Sequence, residues 1–124
     1  LASRLEAVNK IYGTTILMAE STRVRAGGAI VAREIDRVAV YGKAEGVLVF
    51  ELLGLAGTVP TPAVQAYEDA LALYRRRDFG GAVDRLGEVA ELDGPARWLA
   101  ERCRRLASSP ADPAWQPVTQ LDMK

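Results

Sequence analysis

Few residues in this chain can do chemistry near neutral pH. Its 124 residues include no His, so the commonest general base and metal ligand is missing. The one Cys, Cys103, has no partner for an internal disulfide, which fits a reducing compartment. It falls on an apolar helical face and reads as core. Arg4 flanks the helical stripe of Leu1, Leu5 and Val8. An Arg so placed can lay its stem along a core edge and aim its guanidinium into a cleft. The plainer alternative is a solvated Arg paired four residues on, but that position is Val8. Asp36 lies between Ile35 and Arg37 in a strand-like run and reads as half of a surface ion pair, not as a metal ligand. Arg75-Arg76-Arg77 has Glu68, Asp69 and Asp78 around it. It reads as a helix-end cluster rather than a nucleic-acid site.

The elements that must position these groups fall into two halves. Leu1, Leu5, Val8 and Tyr12 recur at helical spacing, and Gly13 stops that helix. Thr15 to Ala19 is short and apolar, a buried strand. Glu20 to Arg25 forms one or two helical turns ending at Gly27-Gly28. Ile30 to Tyr41 is a long strand whose alternation falters at Glu34 to Arg37, the mark of a bulge. Gly42 to Gly46 is a turn, and Lys43 within it is, on its own, an exposed lysine. Val47 to Leu53 is nearly all apolar, as when both faces of a strand are covered. This is an α+β order. Three strands do not close a core alone, so strands preceding Leu1 are expected.

Gly54 to Pro62 is the linker, with two Gly and two Pro. Thr61-Pro62 then opens a helix with Val64, Tyr67, Leu71 and Tyr74 on one face. Asp78 caps a second helix carrying Phe79, Ala82, Val83, Leu86 and Val89. After Asp93-Gly94-Pro95, a third carries Trp98, Leu99, Cys103 and Leu106. Ser108 to Pro117 is an extended tail with Trp115 as its anchor. Domains are thus expected at 1–56 and 57–124.

Bulk composition excludes several classes. Sixteen basic and sixteen acidic side chains leave a formal net charge of zero, so no global field attracts nucleic acid or an anionic membrane. No apolar run is long enough to span a bilayer. The chain opens on Leu1 with a helical pattern already running, as expected of a cut within a longer protein.

Residues 1–54 carry a more specific signal. Leu1-Ala2-Ser3-Arg4-Leu5-Glu6 is followed by Asn9-Lys10, then Tyr12-Gly13-Thr14, then Ile16 to Thr22. Arg33 to Val38, Gly42-Lys43 and Val49-Phe50-Glu51-Leu52 follow in order. Each piece is weak alone, and together they resemble the C-terminal part of a class III adenylate or guanylate cyclase catalytic domain. The resemblance implies a ferredoxin-like domain in which the 3′-hydroxyl of ATP, less often GTP, attacks the α-phosphate and expels pyrophosphate. Two aspartates hold Mg or Mn in that family. By the resemblance they precede residue 1, as do the purine-selecting residues, so this chain alone is expected to be inactive. Arg4 matches the Arg that neutralises the transition state. Tyr41-Gly42-Lys43 matches a Lys-Gly-Lys turn whose first Lys reaches the terminal phosphates. Tyr41 brings a hydroxyl donor but no charge, and Lys43 either substitutes for that Lys or is a plain turn residue. The family's site lies between two catalytic domains, which implies a homodimer or paired domain. It also implies cytoplasmic signalling, with the parent membrane-tethered or not. The alternative is a degenerate cyclase-like regulatory or dimerisation module.

Tyr67, Tyr74, Ala82, Leu86, Ala90 and Pro95 resemble a single tetratricopeptide unit, one residue short between Tyr74 and Ala82. The reading preferred for this tail is packing. The other is a protein-interaction module.

Overall fold

The computed structural model describes residues 2–40, 46–109 and 112–121, excluding the side chains of residues 2–6 and 40. It is α+β, with a four-stranded mixed sheet among the described residues. Two compact units emerge, residues 1–60 with 118–124, and residues 61–117.

The first unit opens with α1, Ala2–Tyr12, which buries Val8 and Tyr12 completely. Gly13 follows with φ 70°, a left-handed conformation that glycine adopts without strain. Just beyond, the Thr14 hydroxyl donates to the Asn9 side-chain carbonyl at 2.7 Å. Strand β1 (Leu17–Ala19) leads into α2 (Glu20–Ala26), where Glu20 occupies the first turn and Arg23 and Arg25 the last, as the helix dipole favours. A 3-10 turn at Gly27–Ala29 delivers β2 (Ile30–Val40), which pairs antiparallel with β3 (Val47–Leu55). The register slips between Glu34 and Asp36, at the expected bulge. Strand β1 adds antiparallel to the far edge of β3.

A fourth strand, β4 (Thr119–Leu121), pairs parallel with β2 and gives the order β1-β3-β2-β4. The sheet therefore draws a strand from the chain beyond the helical segment, and residues 118–121 are not part of an extended helical tail. A second departure concerns β3. It reads as covered on both faces, yet only Val49 is fully buried, and Val47 and Leu55 are exposed at its ends.

The second unit holds α3 (Pro62–Arg75), α4 (Phe79–Leu86), α5 (Val89–Leu92) and α6 (Gly94–Ser108). Helix α3 buries Val64, Tyr67, Leu71 and Tyr74 along one stripe. The Asp78 carboxylate caps α4 by accepting from the Gly81 amide at 3.0 Å. Asp93 caps α6 by accepting from the Ala96 amide at 3.1 Å. The helix expected from Phe79 to Val89 is broken at Gly87, whose φ of 50° lies outside helical geometry. Small residues Ala82, Ala96 and Ala100 sit fully buried, allowing α6 to pack closely against α3 and α4.

Candidate functional site

The densest buried polar group lies in the sheet unit and is built on the bulge in β2. The slip sets the consecutive residues Ile35 and Asp36 inside the fold, both with no exposed surface. Strict alternation would put one of them outside. Asp36 is thus no half of a surface ion pair, because the bulge re-aims its side chain. Its Oδ2 accepts from the Tyr12 hydroxyl at 2.6 Å and from the Thr119 hydroxyl at 2.5 Å. Three distant stretches of chain, α1, β2 and β4, meet on one carboxylate oxygen.

Beside it in the strand, Arg33 and Glu51 are direct cross-strand partners. The Arg33 Nε donates to Glu51 Oε1 at 2.8 Å, and its second guanidinium contact to the same oxygen is 2.7 Å. The Arg33 side chain keeps only 3% of its surface exposed. Removing either partner from so buried a pair leaves an uncompensated charge. Arg37 reaches across the hairpin and donates to the Gly46 carbonyl at 3.0 Å. Arg33 and Glu51 satisfy each other, Asp36 is held by two hydroxyls and Arg37 by a carbonyl, so the cluster holds the sheet together more readily than it presents a reactive group.

Arg4 belongs to α1, two helical turns before Tyr12. Its side chain, and Tyr41 and Lys43, lie outside the described residues. The described geometry brings together Tyr12, Asp36 and Thr119. The signal for the Asp36 centre was present in part. The faltering alternation marked the bulge, but nothing local pointed to Thr119, more than eighty residues on. Matching Arg33 with Glu51 required only folding the hairpin about its turn.

No group of three or more His, Cys, Asp or Glu side chains among the described residues could hold a metal ion. Asp36 is already engaged by two hydroxyls in the sheet core, and Glu51 by Arg33. Neither of these two carboxylates is thus presented as an open metal ligand. Among them, no helix is long and apolar enough to cross a membrane.

In the helical unit, Arg77 departs most from expectation. It has left the helix with φ 66° and points one guanidinium nitrogen at three carbonyls. These belong to Asp112, Pro113 and Trp115, at 3.1, 3.0 and 2.9 Å. Its charge also lies 5.4 Å from the centre of the Trp115 ring. The Arg triplet is therefore more than a solubilising helix end. Cys103 is fully buried, and burial pushes its thiol up to about 11 while nearby Arg102 opposes the shift. An open groove of about 420 Å³ beside α6 carries Glu91 and Glu101 against Arg97 and Arg104, so it favours neither sign of ligand. No family model, curated protein or solved structure matches this chain at a significant level.

Proposed function

We propose that this chain forms the C-terminal part of a class III nucleotide cyclase domain, converting ATP or, less readily, GTP to cyclic nucleotide and pyrophosphate. The observation carrying this reading is the ordered run of motif-like segments over residues 1–54. It is supported by the sequence of helix, strand, short helix and hairpin in which those residues lie. On this reading Arg4, in the N-terminal half of α1, neutralises charge on the reacting phosphate. Lys43 and Tyr41 meet the terminal phosphates, and a second catalytic domain completes the cleft. Metal ions would be held by carboxylates elsewhere in such a domain and would polarise the phosphate there. The test joins residues 1–124 to an upstream half of the domain and measures cyclic nucleotide with magnesium or manganese. Arg4→Ala in the active protein should lower turnover about 10²- to 10³-fold, the scale of losing one stabilising donor. A near-normal rate removes Arg4 from the mechanism.

A second reading, a degenerate regulatory or dimerisation module, is favoured by one feature, Tyr41 where the resembling turn has Lys. Replacing Tyr41→Lys should raise activity or phosphate affinity if the rest of the site is intact. A joined protein that folds and dimerises without making product, before or after that substitution, supports the module instead.

A further inference from the structure

Asp36 is fully buried, and a buried carboxylate is a costly way to hold a sheet together. Apolar groups of the same shape would fill that space at lower cost. What they would not supply is direction. Apolar contact is non-directional, whereas a hydrogen bond weakens steeply as its angle closes. The Tyr12 hydroxyl donates to Asp36 Oδ2 at 2.6 Å, so the bond ties the last turn of α1 to one point on β2. Thr119 in β4 donates to the same oxygen at 2.5 Å and holds that point from the neighbouring strand.

The helix so tied is the one that carries Arg4. Positions 4, 8 and 12 advance by about 40° per step around an α-helix. Fixing Tyr12, with Val8 buried between, therefore fixes the azimuth of position 4. An end group about 6 Å from a helix axis moves about 1 Å when the helix turns by roughly 10°. Apolar packing tolerates so small a turn better than the Tyr12 bond does. At a reacting centre, a misplacement of about 1 Å costs on the order of 10²-fold in rate.

We propose that Asp36 is a positioning residue for Arg4: it anchors Tyr12, and through it the rotation of α1, with Thr119 holding the carboxylate in place. The role of Arg4 itself rests on the cyclase reading, so the first measurement needs no turnover. Nitroxides at Arg4→Cys and Leu55→Cys in the 124-residue chain report the distance from α1 to the end of β3, and Cys103 is buried out of reach of the label. One narrow distribution is expected. Tyr12→Phe and Thr119→Val should each broaden it or shift its centre by about 1–2 Å, and Thr119→Ser, which keeps the donor, should restore it. A contact that only stabilises the sheet lowers the denaturation midpoint and leaves the distribution alone, and that result overturns the positioning role. In the joined, active protein, Tyr12→Phe should lower kcat roughly tenfold with KM for the nucleotide unchanged. Arg4→Ala should then cost less on that background than alone, and strictly additive losses overturn the coupling. Changed distances with an inert Arg4 keep the anchor and reject the cyclase reading. Unchanged distances with a functioning Arg4 do the reverse.

Discussion

Tyr12 and Thr119 both donate a hydroxyl hydrogen to the same carboxylate oxygen of Asp36, deep inside the sheet unit. A carboxylate taken out of water is tolerated only where donors replace its hydration. Tyr12→Phe keeps the ring packed and removes one donor, so it should cost about 1–3 kcal/mol, read as a lower denaturation midpoint at unchanged slope. An unchanged midpoint would show that water or another donor takes over. Cys103 gives a pH prediction. Its thiol is raised from the ordinary 9.0 to about 11, so the folded chain keeps a proton that the unfolded chain loses above 9. The associated stability is complete below pH 9 and disappears as pH rises through 11. At pH 8 a thiol-specific reagent should label Cys103 only after denaturation, and rapid labelling of folded protein would contradict its burial.

Among the elements, Gly87 separates α4 from α5 with φ 50°. Gly87→Ala places a Cβ in that left-handed conformation and should cost about 1–2 kcal/mol, measured as a drop in thermal midpoint. A rise would mean that α4 and α5 can fuse into one helix. That break shows where sequence reading reached its limit. The apolar spacing from Phe79 to Val89 is continuous, and a glycine within it is tolerated in many helices. The break accompanies the packing of α5 against α6, a contact the local spacing does not encode. Local chemistry exposed the elements it governs: Gly13 ending α1, Asp78 capping α4, and the faltering alternation at the bulge. What is decided by distant partners was hidden. The carboxylate of Asp36 looks solvated in the sequence because its donors lie in other elements, and β4 looks like tail because three residues carry no period of their own. The Asp36 centre was the least legible, since it is a coincidence of distant residues.

For the molecule as a whole, the decisive feature is that the sheet unit is discontinuous while the helical unit is one stretch, residues 61–117. Deleting residues 118–124 should therefore injure the sheet unit more than the helices. It removes the buried Leu121, worth about 1.5–3 kcal/mol, and the Thr119 bond to Asp36, worth about another 1 kcal/mol. It also uncovers the edge of β2, an invitation to aggregation. Hydrogen exchange should show lost protection in β2 and β3, with α3 and α6 keeping theirs. Uniform loss would mean that the two units unfold as one. The parallel pairing of β4 also orders events during synthesis. A ribosome releases β1, β2 and β3 before Thr119, so the pairing of β2 with β4 and the Thr119 bond to Asp36 form only after the helical segment has emerged. The last strand then closes the unit that began first, and a polypeptide stalled before it leaves a bare edge for chaperones to recognise.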